Sequence, residues 1–305
     1  METKFKCHFC PVCNGNGCIS QLPGMGGVRA NENFKLNVSE WEKVRALKSD
    51  EIKSFLAKPS DERVPKICLA PITGAVENIG YADEHSYYLD IISASHKAGI
   101  ELSIGDGYPD EKIKYGIEAL CKMRETDKES KFSVFIKPYS NSRIIERIQW
   151  AQPYANIFGI DIDSYNILTM RNLVNLEKKT ADQLIEIKQY LQKLGFPFAI
   201  KGIFTEDDIE LVKAVRPDIA YISNHGGRVD TRTGSTAEFL LKHGAELKKY
   251  CSELWVDGGI RTAADVATAM ALGADKILVG RPFVTALCKS GEKGLCEKIQ
   301  ELKAL

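Results

Sequence analysis

A histidine, an aspartate and an arginine follow short apolar runs in a pattern that suits acid–base chemistry. His225 and Arg228 lie in residues 223–228, which read Ser-Asn-His-Gly-Gly-Arg, and Asp163 follows a different apolar run. An aspartate bonded to a histidine orients the imidazole and stabilises its protonated form, as a general base requires. Arg228 can bind a carboxylate through two parallel hydrogen bonds. The three residues predict a base beside an anion site, although a histidine in a glycine-rich loop often has only a structural role.

Glycine and arginine recur together in two later loops. Residues 257–261 read Asp-Gly-Gly-Ile-Arg, and residues 280–282 read Gly-Arg-Pro. Glycines let backbone N–H groups approach an anion, and arginines add charge and forked hydrogen-bond donors. We predict that the two loops hold the phosphate of a ligand or cofactor. The alternative is that the glycines serve tight turns and the arginines are solvated.

Lys201 lies inside an apolar run, residues 198–202. A lysine in this position is expected to point its ammonium group into a functional cavity. The alternative is a lysine whose stem packs at the end of a strand while its head reaches water.

Eight apolar runs, each followed by a polar or glycine-rich turn, recur from residue 65 onward. Near-continuous apolar runs are typical of parallel strands that are buried on both faces, and helical patterns lie between them. Eight strand–helix units predict a (β/α)8 barrel, with functional groups at the carboxyl ends of its strands. A doubly wound open sheet is the alternative. The predicted strands are residues 66–70, 100–104, 132–136, 157–160, 198–202, 219–223, 254–257 and 276–280.

The domain organisation follows from the same pattern. Residues 65–305 form the predicted barrel domain, and residues 1–64 form an N-terminal cysteine-rich extension with a helix over residues 39–56 that packs on the barrel. The barrel helices carry recognisable ends, such as Thr205 before an acidic first turn and Gly273 after an alanine-rich stretch.

Composition bounds the class of protein. The 305 residues are 44% hydrophobic and 27% charged, and 41 basic side chains balance 41 acidic ones. The hydrophobic content is too high and the charged content too low for a disordered chain. The balance of charges gives no reason to expect nucleic acid or a membrane surface as a partner. Because there is no long apolar run and no signal-peptide pattern, we expect a soluble, cytoplasmic protein.

Four of the nine cysteines cluster near the N-terminus. Cys7, Cys10, Cys13 and Cys18 have the spacing C-x2-C-x2-C-x4-C. Thiolates at this spacing can hold an iron–sulfur cluster or zinc, although the run does not match a ferredoxin pattern. Thiols without metal, packed or redox-active, are the alternative. Iron–sulfur chemistry here would favour a dehydrogenase over an oxidase.

With these motifs assembled, the sequence resembles the FMN-dependent α-hydroxy-acid oxidase and dehydrogenase family, which includes glycolate oxidase, lactate oxidase and flavocytochrome b2. Residues 222–228, 256–261 and 279–283 resemble its histidine signature and its two phosphate loops in the right order. Residues 69–73 resemble its first-strand flavin segment. The resemblance covers roughly residues 65–285.

The resemblance implies a role for each matching residue. His225 would be the base that takes the hydroxyl or α-proton, Asp163 would support its protonated form, and Arg228 would bind the substrate carboxylate. Lys201 would stabilise negative charge on the reduced flavin. The residues implied to bind FMN are Ala70, Pro71, Thr73, Lys201, Ser223, Asp257, Gly259, Arg261, Gly280 and Arg281.

Departures from the family pattern concern the substrate side. Members carry a tyrosine at the end of strand 3, where this sequence offers either Tyr139 or a new cation, Lys137; a threonine near strand 4 is replaced by Asp161. The resemblance therefore predicts oxidation of a small 2-hydroxy acid in a homo-oligomer, with the substrate and electron acceptor open. The alternatives are another FMN barrel enzyme, an isomerase or reductase, and a non-catalytic flavin or thiol redox sensor.

Overall fold

The computed structural model describes residues 32–76, 81–166, 174–229 and 231–305. Within them, eight parallel strands are bonded in the order β1-β8-β7-β6-β5-β4-β3-β2, and a bridge between Cys68 and Glu101 joins β1 to the start of β2. The sheet therefore closes into the predicted barrel, and the open doubly wound sheet was the wrong alternative. The strands are β1 (Ile67–Leu69), β2 (Leu102–Gly105), β3 (Phe132–Ile136), β4 (Ile157–Asp161), β5 (Phe198–Ile203), β6 (Ile219–Ile222), β7 (Glu253–Val256) and β8 (Lys276–Val279).

Helices alternate with these strands and cover the outside of the barrel. Three of them begin with a capping box, in which Thr180, Thr205 or Thr262 exchanges hydrogen bonds with the third helical residue. They are α1 (Glu32–Leu47), α2 (Ser49–Leu56), α3 (Glu84–Lys97), α4 (Glu111–Thr126), α5 (Asn141–Ala151), α6 (Ala181–Lys193), α7 (Glu206–Val215), α8 (Thr236–Leu247), α9 (Ala263–Ala271) and α10 (Arg281–Lys303), the last interrupted at Ser290 and Gly291. None of the described helices is long and apolar enough to cross a membrane.

The inside of the barrel contains a layer of large and small side chains. The rings of Phe135 and Tyr221 pack edge to face at 5.4 Å, beside the fully buried Trp255. Gly159 makes room for this layer, because a Cβ there would lie 2.5 Å from the Phe135 ring. Since side chains alternate along a strand, the next inward positions after Gly159 and Ala199 are Asp161 and Lys201. The apolar floor therefore carries a charged layer at the carboxyl ends of the strands.

The single helix predicted over residues 39–56 was wrong in its bounds. Helix α1 begins earlier, at Glu32, and the chain breaks at Lys48, whose φ of −114° and ψ of 30° are outside helical values, before α2 starts at Ser49. Polar residues of the first turns of α1, Asn33 and Asn37, are buried. Tertiary hydrogen bonds rather than apolar periodicity fix this end of α1, and this explains why the sequence pattern did not predict it.

Helix α1 packs over the loops that follow β6 and β7. Asn37 donates to Asn224 Oδ1 at 2.8 Å, and Trp41 Nε1 donates to the Gly258 carbonyl at 2.8 Å. Gly259 has a φ of +80°, and a Cβ there would overlap the Asn37 carbonyl oxygen. Glycine is therefore required at position 259 both for the turn and for the close approach of α1.

Candidate active site

A cavity opens at the carboxyl ends of the strands, where a (β/α)8 barrel holds its functional groups. Its wall includes most of the residues that the sequence singled out. These are Ala70, Pro71, Thr73, Lys201, His225, Arg228, Asp257, Gly259, Arg261, Gly280 and Arg281, together with Lys137.

His225 projects from a tight turn after β6. It has a φ of +55°, which non-glycine residues seldom adopt, and Gly226 and Gly227 also have positive φ. The Asn224 side chain stabilises the turn by accepting from Gly227 N at 3.0 Å. Ser223 Oγ accepts from His225 N at 3.2 Å. The strained backbone is thus held by its neighbours, and strain of this kind is common at functional sites.

Asp163 lies directly behind His225. Its Oδ2 is 2.9 Å from His225 Nδ1, so the structure brings together the pair that the sequence placed on different strands. Both side chains are largely buried. Gly202 of β5 allows this approach, because a Cβ there would lie 2.5 Å from the Asp163 carboxyl group. With Nδ1 bonded to a carboxylate, Nε2 is the nitrogen left for chemistry with a ligand.

Asp161 is the residue that sequence reasoning missed as a member of the site. Its Oδ2 lies 2.7 Å from Lys137 Nζ and 3.1 Å from His225 Nε2, and its Oδ1 lies 2.8 Å from Lys201 Nζ. Burial alone would raise the pKa of Asp161, but the three cationic or ionisable neighbours hold it well below the ordinary value. A second aspartate two residues before Asp163 was the available signal. Asp161 is therefore an ionised carboxylate at the centre of the site.

Lys137, rather than Tyr139, reaches the cavity from the end of β3. Tyr139 is buried, its hydroxyl has no hydrogen-bond partner among the described residues, and its ring packs against the guanidinium groups of Arg143 and Arg147 at 4.7 and 4.3 Å. Lys137 follows the end of β3 and points inward, as Phe135 does two residues earlier on the strand. The expectation that a cation enters the site at this point agrees with this geometry.

Asp106, after β2, anchors the end of β3. Its Oδ2 accepts from Arg147 Nε at 2.9 Å and from the Lys137 backbone N–H at 3.3 Å, and its Oδ1 accepts from Gly107 N at 2.8 Å. Burial raises the pKa of Asp106 to about 6, although Arg147 and Lys137 oppose the shift. A buried ion pair thus fixes the segment from which Lys137 projects.

Lys201 of β5 and Asp257, which follows β7, belong to the charged layer on either side of β6. Tyr221 donates its hydroxyl to Asp257 Oδ2 at 2.7 Å, while Asp257 Oδ1 is buried without a hydrogen-bond partner among the described residues. Burial raises the pKa of Asp257, with Lys201 opposing. Burial would lower the pKa of Lys201, but Asp161, Asp163 and Asp257 raise it overall. Lys201 is therefore a permanent cation.

Arginines surround the rest of the cavity. Burial lowers the pKa of Arg228 to about 10, with Asp161 opposing, and burial likewise lowers the pKa of Arg261 to about 10. Arg281, the first residue of α10, donates to the Gly226 carbonyl and lies over the Phe34 ring at 4.6 Å. All three guanidinium groups carry charge at neutral pH. The N-terminus of α10, beside Arg281, also lines this cavity, and the positive end of a helix dipole suits an anion.

Two predicted residues lie behind the cavity wall rather than on it. Ser223 is fully buried, and its hydroxyl lies beside Asp257 and helps to lower the pKa of that carboxyl group, while Asp163 reaches the cavity only through His225. The predicted metal ligands Cys7, Cys10, Cys13 and Cys18 lie outside the described residues. The five cysteines within the described ranges are free thiols.

Comparison with known proteins decides the family. The sequence profile described as FMN-dependent dehydrogenase matches residues 119–304. The chain belongs to this family. The chain is similar to 2-hydroxyacid oxidase 2 of Bos taurus, with 39% identity over 107 residues, which are 35% of this chain and 30% of that protein. The L-lactate dehydrogenase of Vibrio parahaemolyticus is 42% identical over 99 residues, 32% of this chain and 26% of that protein.

Two solved structures, of a mandelate oxidase and of a flavocytochrome b2, share the fold. A mandelate oxidase structure superposes with a TM-score of 0.60 at 22% identity, covering 78% of this chain and 71% of that one. A flavocytochrome b2 structure gives a TM-score of 0.60 at 19% identity, covering 78% and 64%. Both show the same barrel fold. The matching segment spans about 30% of the length of the curated 2-hydroxyacid oxidases.

Proposed function

We propose that this protein is an FMN-dependent oxidoreductase that oxidises a small 2-hydroxy acid to the 2-oxo acid. The observation that carries the proposal is the arrangement of His225, whose Nδ1 is bonded to Asp163, on the same cavity wall as Arg228. A base and a carboxylate-binding cation in one cavity are the two groups that such a substrate needs. The sequence similarity to 2-hydroxyacid oxidases and an L-lactate dehydrogenase supports the same reaction class.

The cavity residues fit FMN. The unpartnered Asp257 Oδ1 is a buried acceptor suited to a ribityl hydroxyl, and the start of α10 with Arg261 and Arg281 is suited to the phosphate. Gly280 keeps the approach open, and Ala70, Pro71 and Thr73 line the opposite side. Ser223 supports Asp257 from behind. When bound, the flavin ring supplies the acceptor for the two electrons that leave the substrate.

His225 would accept the proton that the substrate loses, from its hydroxyl or its α-carbon. Asp163 holds the ring in the tautomer that keeps Nε2 available and stabilises the imidazolium that forms. Arg228 would bind the substrate carboxylate, and Lys201, held as a cation, would offset negative charge that builds up during the reaction. The chain therefore supplies orientation, proton transfer and electrostatic stabilisation.

The direct experiment is an anaerobic titration of the FMN-loaded protein with a panel of 2-hydroxy acids. Bleaching of the oxidised flavin spectrum, with release of the matching 2-oxo acid, is the expected result. If FMN binds but no 2-hydroxy acid reduces it, the proposal fails, and an isomerase, a reductase or a redox sensor becomes the better reading.

We also propose that the protein is a cytoplasmic homo-oligomer. We further propose that Cys7, Cys10, Cys13 and Cys18 hold an iron–sulfur cluster or zinc. The cysteine spacing is the support for the metal, and a cluster there would take electrons from the flavin. Iron, zinc and sulfide analysis of anaerobically purified protein tests this point, and the absence of all three would contradict it. Light scattering tests the oligomeric state.

A further inference from the structure

Lys137 is a buried cation placed beside the reactive nitrogen of the proposed base. Its Nζ lies 3.5 Å from His225 Nε2 and 2.7 Å from Asp161 Oδ2. It lines the same cavity as His225 and Arg228. Any substrate atom that hydrogen-bonds to Nε2 therefore also comes close to this ammonium group.

Asp161 Oδ2 contacts both the Lys137 ammonium, at 2.7 Å, and His225 Nε2, at 3.1 Å. A substrate oxygen that binds Nε2 has to take over this contact. Asp161 can give it up without becoming unpaired, because its Oδ1 keeps the 2.8 Å contact with Lys201. The Asp161 carboxylate thus holds Lys137 in place, and it gives up its contact with His225 Nε2 when the substrate binds.

We infer that Lys137 contacts the oxygen on carbon 2 of the substrate, and that Asp161 is the positioning residue that holds Lys137 there. This inference rests on the proposed function. When the substrate O–H bond breaks and the proton joins Nε2, negative charge is left on that oxygen. It would last until the carbonyl forms, when the C–H hydrogen and its electron pair would pass to the flavin that the cavity is proposed to hold. The Lys137 ammonium offsets that charge, in a place that the buried Tyr139 cannot reach.

The first test compares Lys137→Met with Lys276→Met. Lys276 is also a buried strand lysine with an acidic partner, Glu101, but it lies at the opposite end of the barrel. Lys137→Met is expected to slow anaerobic flavin reduction by about 100-fold, the usual effect of removing one group that stabilises developing charge. Lys276→Met is expected to lower the thermal midpoint and leave the reduction rate unchanged. Equal reduction rates in the wild type and Lys137→Met would overturn the inference.

The second test measures binding without turnover. Pyruvate and propionate differ in the oxygen on carbon 2, so the ratio of their Kd values, from calorimetry on the FMN-loaded protein, isolates the contact with that oxygen. Lys137→Met and Asp161→Asn are each expected to reduce the preference for pyruvate about tenfold, and the double variant no further, as for two residues of one contact. An unchanged preference in Lys137→Met would contradict the inference.

Failure of this inference differs from failure of the proposed function. If wild-type flavin is reduced by a 2-hydroxy acid while both binding ratios stay constant, only the role of Lys137 is wrong. If no 2-hydroxy acid reduces the flavin, the proposed function is wrong, whatever the binding ratios show.

Discussion

His225 Nδ1 and Asp163 Oδ2 lie 2.9 Å apart, and this contact joins turns that follow two different strands, β6 and β4. It fixes the imidazole with Nε2 directed away from Asp163. The glycine at position 202 of the intervening strand makes the contact possible. The orientation of the proposed base therefore depends on a pair of side chains, of which only His225 faces the cavity.

Replacing Asp163 by asparagine should test the value of this contact. Asp163→Asn is expected to slow flavin reduction by about 100-fold or more, because an amide can hold the wrong tautomer and does not stabilise the imidazolium. Flavin occupancy, read from the absorbance spectrum, should stay the same, since Asp163 does not line the cavity. Stopped-flow reduction at the wild-type rate would contradict the assignment.

Arg228 should act on binding of the substrate carboxylate. Arg228→Met is expected to raise KM by a factor corresponding to about 2 kcal/mol, the value of a hydrogen bond to a charged group. The thermal midpoint of the FMN-loaded variant serves as the control for folding. A KM that does not change would show that another group binds the carboxylate.

Asp106 should matter for stability rather than for chemistry. Arg147 is fully buried, so Asp106→Ala leaves a buried charge without its main partner and is expected to cost about 3 kcal/mol or more in the free energy of unfolding. Denaturant unfolding measures this cost. A loss well under 1 kcal/mol would show that Asp110, the other carboxylate on Arg147, is sufficient.

The pH dependence of stability gives a second readout for Asp106. Its pKa in the folded protein is raised to about 6 from an ordinary 3.8, so the protonated form contributes stability that is complete below pH 3.8 and is lost as the pH rises through 6. The wild type is expected to lose stability over this range relative to Asp106→Asn, which does not titrate. Parallel unfolding curves for the two proteins between about pH 4 and pH 7 would contradict the assignment.

Gly259 should be required for the packing of α1 on the barrel. In Gly259→Ala a Cβ would overlap the Asn37 carbonyl, and the positive φ adds strain, so a loss of about 3 kcal/mol is expected. Gly273→Ala is the matched control. It has a φ of +93° but open space around the Cβ, and it should cost only about 1 kcal/mol. Equal losses in the two variants would mean that the contact with α1 contributes nothing.

The barrel could be predicted from the sequence because its strands are short apolar runs with distinct ends. The run 132–136 corresponds to β3 residue for residue, and the other seven runs each contain most of a strand. Helix α1 could not be predicted, because its first turns are fixed by Asn33 and Asn37, whose hydrogen bonds reach residues about 190 to 200 positions away. Contacts at that separation leave no local pattern.

The members of the candidate site could be predicted where the residue type itself indicates the chemistry, as for a base or a cation. His225, Arg228 and Lys201 all line the cavity. Asp161 was visible in the sequence as a second aspartate before Asp163, but its central place was not predicted, because it depends on the inward direction of β4 and on lysines from the two neighbouring strands. Ser223 is a residue that the sequence motif assigned to a ligand contact, whereas in the structure its hydroxyl faces Asp257.

The most direct measurement is anaerobic flavin reduction by a 2-hydroxy acid in the wild type and in His225→Ala. The flavin of the wild type is expected to bleach, with release of one equivalent of the 2-oxo acid. His225→Ala is expected to retain FMN and to be reduced at least about 100-fold more slowly. Reduction of His225→Ala at the wild-type rate, or no reduction of the FMN-loaded wild type by any 2-hydroxy acid, would contradict the proposed function of His225 as the base.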